Sequence, residues 1–220
     1  YIKKGVKNVW VVGNWKLISD FEPPVQKIES TKQQLRIPEN KLIISFIGWL
    51  NEDREILPLI EAVKKTDSIF LLLGGDGSLV EKIKEAIKDS HNIQFIGFVQ
   101  PKDIPVYTAI SDVIYYGLKK GYPLAKYSAP NKLFEGLAAG KAILTGDFGE
   151  IGKIVKDEDC GIILDSSTQP EFKKAFGSLL EKDIIVRFKA NAKNAAIKRY
   201  NWLNAEKILL QIYNDALFNK

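Results

Sequence analysis

Short apolar runs alternate with segments of helical periodicity along most of this 220-residue chain, and the alternation limits the folds open to it. Six runs rich in β-branched and aromatic residues predict strands. They lie at residues 43–47, 69–73, 93–96, 112–116, 142–145 and 161–164. Strands that are apolar throughout are typical of a parallel sheet with helices on both faces. We therefore predict an α/β fold, a doubly wound parallel sheet of the Rossmann-like type.

Helical stripes fill the spaces between these runs. Ile56, Leu59 and Ile60 share one helix face, and the helix that begins near Leu133 is expected to end at Gly140. Further helical segments close the chain at residues 172–180, 186–198 and 205–216. The α/β pattern therefore runs from about residue 41 to the end of the chain.

The first 40 residues do not follow that pattern. Residues 9–12 predict one isolated strand, 13–24 a loop closed by two prolines, and the polar stretch at 30–36 a linker. We predict that residues 1–40 are the end of an N-terminal domain and an interdomain linker. Residues 41–220 are then one Rossmann-like domain with C-terminal helices.

Composition excludes several classes of protein. A hydrophobic content of 45% supports a core, which excludes intrinsic disorder, and no apolar run is long enough for a membrane span. A single cysteine, Cys160, excludes an internal disulfide framework and a multi-cysteine zinc site, and a single histidine, His91, excludes His-rich metal chemistry. We expect Cys160 to be a buried, inert thiol and His91 a turn residue. The net charge of +5 is modest for a nucleic-acid binder, and the basic residues are scattered, several of them as lysine pairs without interleaved aromatic residues, so no nucleic-acid partner is expected.

The start of the chain suggests its context. It begins at Tyr1 and contains no methionine, so we expect a piece of a longer protein. The basic residues within 1–7 are not followed by the apolar core of a signal peptide. We therefore expect a cytoplasmic protein, with the inner face of the membrane as an open alternative.

The first candidate site follows the run at 43–47. Gly48 would let a ligand approach the backbone closely. Arg54, which is expected to open the next helix, could hold a phosphate through two hydrogen bonds. A tight turn and a solvated arginine would explain the same two residues, and this alternative stays open.

Two further segments follow the next runs. The glycine-rich stretch at 73–78 lacks the spacing of both the dinucleotide fingerprint and the Walker A loop. We expect its glycines, among them Gly75, to border a ligand cleft and Ser78 to be the N-cap of the next helix. Farther along, Phe98 and Val99 could wall a flat base, although a core position is equally compatible with Phe98.

Pro130 and Asn131 mark the most informative segment, where an extended loop becomes a helix. The free N–H groups and the dipole of a helix start favour an anion, and Lys132 adds positive charge. Glu135 follows one turn later on the same side of the helix. It either accepts hydrogen bonds from sugar hydroxyls or is a solvated glutamate favoured by the dipole, and the residues alone favour neither interpretation.

Taken in order, six segments resemble the C-terminal, donor-binding domain of GT-B glycosyltransferases of the group 1 type, family 4. They are 48–50 with Arg54 and 60–62, 73–77, 96–99, 109–116, 131–143, and 200–202 with Tyr213. Residues 9–14 and 21–23 resemble the segment that leaves the N-terminal domain in that family. The block from Lys132 to Lys141 is the most specific of these matches.

The resemblance implies a nucleotide-sugar donor, transfer with retention of anomeric configuration, and no metal or other cofactor. Positive groups such as Arg54 would stabilise the leaving diphosphate, and Glu135 would take the ribose hydroxyls. The catalytic candidates are therefore Arg54 and Glu135, with no metal ligand expected. The donor-binding candidates are Gly48, Trp49, Gly75, Phe98, Val99, Pro130, Asn131, Lys132 and Leu133.

Two positions depart from the pattern of the family. Tyr127 stands where many members carry the first of two glutamates, and Trp49 stands where an arginine usually follows the glycine. Arg54 and Lys132 then remain as the main phosphate-neutralising groups. Further candidates for that role are Lys119, Lys120 and Lys126.

We predict that the chain is the donor-binding half of a retaining hexosyltransferase whose acceptor is a glycan, a lipid-linked molecule or a small molecule. Its own N-terminal GT-B domain would supply the acceptor site, so the isolated chain is expected to bind donor weakly and to transfer nothing. Two alternatives remain. One is an epimerase that acts on a sugar nucleotide, and the other is a non-catalytic nucleotide-sugar-binding module in which Tyr127 and Trp49 mark lost chemistry.

Overall fold

A computed structural model, which describes residues 9–218, contains one parallel sheet of six strands. The strands are β1 (Leu42–Trp49), β2 (Ile69–Asp76), β3 (Ile93–Phe95), β4 (Val113–Tyr116), β5 (Ala142–Gly146) and β6 (Gly161–Leu164). Their order in the sheet is β3-β2-β1-β4-β5-β6, and every neighbouring pair is parallel. The six predicted strands and the doubly wound fold are confirmed.

Helices cover both faces of the sheet. They are α1 (Val25–Leu35), α2 (Ile56–Val63), α3 (Val80–Ile87), α4 (Ile104–Ile110), α5 (Asn131–Ala138), α6 (Gly149–Asp157), α7 (Gln169–Leu180), α8 (Lys182–Lys198) and α9 (Trp202–Phe218). Successive residues of β2 alternate between two separate apolar clusters, with Leu71 in one and Leu72 in the other. Both faces of the strand are therefore buried, which explains why its sequence is apolar throughout. Within residues 9–218, no helix has both the length and the apolar content that a membrane span needs.

Three segments differ from the prediction. Residues 9–12 form no strand, and the backbone pairing nearby is a single bridge between Lys16 and Asn201. The stretch at 30–36 was expected to be a linker, but most of it lies in α1, whose Ile28 packs against the apolar cluster shared with α4. Helix α6 was not predicted, although Ile151 and other apolar residues mark its buried face. The domain boundary near residue 40 stays a prediction.

The strand order reverses between β1 and β4. From β1 the chain continues outwards through β2 and β3, and it then returns to the other side of β1 as β4. In open α/β sheets, ligands bind at this switch point, in the crevice outside the carboxyl ends of the strands. The fold therefore directs attention to the residues that follow β1 and β4.

Candidate functional site

Two glycines shape the carboxyl ends of β1 and β2. Gly48 and Gly75 are paired in the parallel register and have φ values of +150° and +129°. A Cβ atom at Gly75 would collide with the Gly48 carbonyl oxygen, so this close approach requires glycine. The Gly75 amide donates to the Gly97 carbonyl at 2.8 Å. Gly75 therefore shapes the cleft by packing, and its predicted contact with a donor stays a prediction.

Lys132 lies beside Gly48. A Cβ atom added at Gly48 would lie only 2.9 Å from Lys132 Nζ, so the glycine makes room for the ammonium. Nζ is 4.0 Å from the centroid of the Phe46 ring and 5.2 Å from that of Tyr116. Although part of the lysine chain reaches the surface, the ammonium itself is enclosed, and burial lowers its pKa to about 8. Nearby Glu135 opposes this shift, whereas Arg54 adds to it.

Arg54 approaches the same place from the loop after β1. It ends a single 3-10 turn, Glu52–Arg54, and Glu55 has a left-handed backbone before α2 begins. The expectation that Arg54 opens the helix is therefore wrong. Its guanidinium donates to the Tyr116 hydroxyl at 2.5 Å, and the central carbon lies 5.3 Å from the Tyr116 ring centroid. Arg54 and Lys132 thus both contact Tyr116, and two positive charges converge at the switch point.

Helix α5 begins and ends as predicted. Pro130 precedes its first residue, Asn131, and Gly140 follows its end with a φ of +64°. Leu133 is fully buried and its amide donates to the Pro130 carbonyl at 3.1 Å. The structure therefore places the Leu133 side chain in the core, while Asn131 is exposed and Lys132 half-buried at the start of the helix.

Glu135 is not a freely solvated carboxylate. Its side chain is only 15% exposed, and Oε1 lies 3.8 Å from the Lys16 ammonium. Burial raises the pKa of Glu135, and the charges of Lys16 and Lys132 oppose that change. The interpretation of Glu135 as a solvated surface residue is wrong. The other interpretation remains, in which the enclosed Glu135 carboxylate, one turn after the start of α5, accepts hydrogen bonds from a ligand.

Several contributors to the site were missed in the sequence. Asn14 Nδ2 and Lys16 Nζ both donate to the Asn131 side-chain oxygen, at 3.0 and 2.9 Å. The Tyr116 hydroxyl accepts hydrogen bonds from Arg54 and, at 3.3 Å, from the Ser128 hydroxyl. No local signal distinguishes Lys16 from the other lysines, because its partners lie more than 100 residues away.

The aromatic candidates divide into exposed and buried residues. Trp49, at the end of β1, and Phe98, after β3, are each 66% exposed. A core position for Phe98 is therefore wrong. Val99 is buried against Gly74 and contributes to the core. The two exposed aromatic side chains remain available to a ligand at the sheet edge.

Other candidate residues lie in the loop after β4, where the Lys119 amide donates to the Asp53 carbonyl at 2.8 Å. Lys119 and Lys120 are exposed and line a cavity with Asp147 at the ends of β4 and β5. Tyr127 is 72% exposed. The proposed compensation by these lysines stays a prediction.

The structure also locates three further residues singled out in the sequence, Ser78, Cys160 and His91. Helix α3 begins at Val80, and the Ser78 amide donates to the Asn51 side chain at 3.3 Å, so Ser78 is not the N-cap. Cys160 is buried, and burial raises its pKa to about 12, as expected of an inert thiol. His91 is exposed beside Asp67. Residues 9–218 hold no group of three or more His, Cys, Asp or Glu side chains arranged for a metal.

The fold and the site together define a class: a Rossmann-like domain whose switch point carries two converging cations, a helix start and an enclosed glutamate. The model of the family described as glycosyl transferases group 1 matches residues 27–199. The chain belongs to this family.

Known relatives agree with that membership. YtcC of Bacillus subtilis (strain 168) is 25% identical over 197 residues, which cover 83% of this chain and 47% of YtcC. Phosphatidyl-myo-inositol mannosyltransferase of Mycobacterium leprae (strain TN) is 22% identical over 202 residues, covering 86% of this chain and 50% of that protein. This chain spans about half the length of the curated relatives it matches.

A solved structure shows the same fold. Anabaena Alr3699/HepE, crystallised in complex with UDP and glucose, aligns with a TM-score of 0.78 at 19% identity. The alignment covers 94% of this chain and 56% of that one. The architecture is that of the GT-B glycosyltransferases.

Proposed function

We propose that this chain binds the nucleoside diphosphate of a nucleotide-sugar donor and is the donor-binding domain of a retaining hexosyltransferase. The enclosed Lys132 ammonium is the observation that carries the proposal. It lies over the Phe46 ring, and no carboxylate oxygen of residues 9–218 comes within 4.0 Å of it. A buried cation without a close anionic partner is costly. A diphosphate at the end of β1 would supply that partner.

The surrounding groups fit the rest of such a donor. Arg54 supplies a second positive charge, and the start of α5 at Asn131 supplies free amide N–H groups for phosphate oxygens. Glu135 is placed to accept hydrogen bonds from the ribose hydroxyls, and exposed Phe98 offers an aromatic face to the base. The likeness to Alr3699/HepE, which was crystallised with UDP-glucose, supports a uridine diphosphate sugar as the first donor to test.

The proposed reaction depends on electrostatic stabilisation. The bond between the anomeric carbon and the diphosphate oxygen breaks, the acceptor oxygen bonds to that carbon, and the proton of the acceptor hydroxyl passes to the released diphosphate. Negative charge then grows on the departing diphosphate, where Lys132 and Arg54 stabilise it more strongly than they stabilise the bound donor. In this proposal the positive charges of Lys132 and Arg54 stabilise the leaving diphosphate, so the reaction needs no metal ion for that purpose. The acceptor site would come from a second, N-terminal domain.

Calorimetry tests donor binding directly. Titration with UDP, GDP, ADP and their sugars should show saturable heat for at least one nucleotide. Glu135→Ala should weaken that binding by about tenfold, the usual cost of losing a hydrogen bond to a charged group. Glu85→Ala, which removes an exposed carboxylate paired with Lys88 on α3, is the matched control and should change nothing.

A folded sample that gives no heat with any of these ligands would refute the proposal. Product analysis with the longer protein separates transfer from epimerisation of the sugar. If Glu135→Ala and Arg54→Ala left its turnover unchanged, the chain would be a non-catalytic module.

A further inference from the structure

The segment before α1 crosses the start of α5 and contacts the proposed donor site. Asn14 Nδ2 donates to the Asn131 side-chain oxygen at 3.0 Å and to the Ala129 carbonyl at 3.4 Å. Lys16 Nζ donates to the same Asn131 oxygen at 2.9 Å and lies 3.8 Å from Glu135 Oε1. One lysine therefore contacts the side chains of both Asn131 and Glu135.

The Lys16 backbone is held firmly enough to direct that contact. Its residue forms a parallel bridge with Asn201, and its carbonyl accepts a hydrogen bond from the Trp202 amide at 2.9 Å. The neighbouring Trp15 ring meets Tyr200 edge-on, with ring centroids 5.8 Å apart. The ammonium is thus presented to α5 from a backbone that is anchored between α8 and α9.

We propose that Lys16 is a positioning residue of the donor site, which holds the Asn131 amide and the Glu135 carboxylate in the states that a nucleotide-sugar donor requires. The inference rests on the proposed function. Neither the composition nor any local motif marks Lys16, and its role follows from its contacts alone.

The orientation of Asn131 is the first consequence. Its side-chain oxygen accepts hydrogen bonds from both Asn14 and Lys16. The other end of the amide, Nδ2, can only donate. It is the end left for a phosphate oxygen, so Lys16 and Asn14 together select the orientation that suits an anion.

The charge of Glu135 is the second consequence. The charged groups that face it are Lys16, from the leading segment, and Lys132, from α5 itself, with Arg54 beside Lys132. Burial favours the protonated carboxyl, and Lys16 opposes it more strongly than Lys132 does. The ionised carboxylate is an acceptor at both oxygens and can take a hydrogen bond from each of two hydroxyls, whereas the protonated carboxyl carries a donor on one oxygen. Because a bound diphosphate would engage Lys132, Lys16 is the cation left to keep Glu135 ionised.

Carbon-13 NMR of the chain labelled at glutamate carboxyls measures this effect without any ligand. Glu135→Gln identifies the resonance. Lys16→Met should raise the pKa of Glu135 further, because the first opposing charge is lost, and Lys16→Arg should restore it. Lys27→Met is the matched control, since Lys27 lies 3.9 Å from Asp103 in an exposed ion pair on α1. An unchanged Glu135 pKa in Lys16→Met would overturn the inference.

Binding of UDP and of 2′,3′-dideoxy-UDP tests whether the site uses this effect. Loss of the Lys16 charge should weaken the binding of UDP and of the dideoxy analogue to the same extent. The ratio of the two affinities therefore reports only the contact with the ribose hydroxyls. Lys16→Met should reduce the preference for UDP by about tenfold, and Lys16→Arg should keep most of it. An unchanged ratio in Lys16→Met would overturn the inference even if the pKa moved.

The two experiments separate failure of this inference from failure of the proposed function. If the unmodified chain binds none of the nucleotides titrated above, the proposed function fails, and the role of Lys16 at a donor site fails with it. If it binds GDP or ADP instead of UDP, the comparison uses that nucleotide and its 2′,3′-dideoxy form. If the chain prefers UDP and Lys16→Met keeps that preference, only the inference about Lys16 fails. Lys16→Gln provides the same comparison should Lys16→Met not fold.

Discussion

The Lys132 ammonium lies 4.0 Å from the centroid of the Phe46 ring, so a cation rests on an aromatic side chain that is itself fully buried. Such a contact returns part of the free energy lost when the ammonium leaves water, but not all of it. The result is a pKa of about 8, close to physiological pH. Ligand-free stability and anion binding should therefore respond in opposite directions to changes at this residue.

Removal of the charge should stabilise the ligand-free chain. We expect Lys132→Met to raise the free energy of unfolding at pH 7 by about 1–3 kcal/mol, because methionine fills the space without the cost of a buried cation. Urea denaturation measures the difference, with Lys27→Met as the control. A fall in stability would show that the aromatic contacts outweigh the loss of hydration.

The same change should lose its effect at high pH. The pKa of Lys132 in the folded chain, about 8, lies below the ordinary value of 10.5, so the unfolded chain binds more protons between these values. Stability therefore rises with pH across this window. The free-energy cost of burying the protonated Lys132 ammonium is fully present below pH 8 and declines towards pH 10.5. Denaturation of Lys132→Met at several pH values should show its advantage shrinking over that range.

Affinity for a diphosphate should fall above pH 8. In alkaline solution the ligand-free chain loses the Lys132 proton, and binding must then restore it. Titration with UDP between pH 7 and 9.5 should show this fall and a heat that depends on the buffer. Lys132→Arg, whose guanidinium stays charged, should flatten the profile. A wild-type affinity that is constant over the range would contradict Lys132 as the phosphate partner.

Arg54 should matter more for binding than a similar arginine elsewhere. Arg54→Ala is expected to lower UDP affinity by about tenfold or more, because it removes a charged group at the switch point. Arg187→Ala is a matched control. Arg54 Nε lies 3.6 Å from the Asp53 carboxylate, and the guanidinium lies beside the Tyr116 ring. Arg187 has the same two kinds of contact, 3.0 Å from Asp159 and 5.2 Å from the Phe188 ring centroid, but it lies on α8. Equal losses in both variants would argue against a phosphate contact by Arg54.

Gly75 should be intolerant of even a methyl group. Gly75→Ala places Cβ against the Gly48 carbonyl at a φ of +129°, so we expect a loss of about 3 kcal/mol or more in unfolding free energy. Gly177→Ala is the control, since Gly177 lies in α7 and the added Cβ would meet no atom within 4 Å beyond its chain neighbours and the nearby backbone of its own helix. That change should stabilise the helix by up to about 1 kcal/mol. Similar effects at both positions would show that β1 and β2 can separate easily.

The fold was predictable where neighbouring residues carry the signal. Strand runs such as 69–73 are apolar because both faces of the sheet are covered, and Gly140 ends α5 through its own backbone conformation. Residues 9–12 have the composition of a strand but find no neighbouring strand to pair with. Helix α1 was missed because it buries no residue fully, so its periodic signal is weak.

The candidate site was predictable where its residues are close together in the sequence. Asn131, Lys132 and Glu135 lie on consecutive turns of one helix, so their proximity follows from the chain itself. Arg54 was expected in a helix, yet the left-handed Glu55 separates it from α2 and lets it reach Tyr116. That contact joins residues 62 positions apart, which no local pattern indicates.

The order of apolar and polar residues alone determined the parallel α/β architecture and the helix start at Asn131, because periodicity and backbone conformation depend on near neighbours. Tertiary structure decided which charges meet. It enclosed Lys132 over Phe46 and brought Lys16 to Glu135 across more than 100 residues of sequence. Hydration, and with it the pKa of each group, depends on everything that packs around a charge, and the chain acquires those surroundings only when it folds.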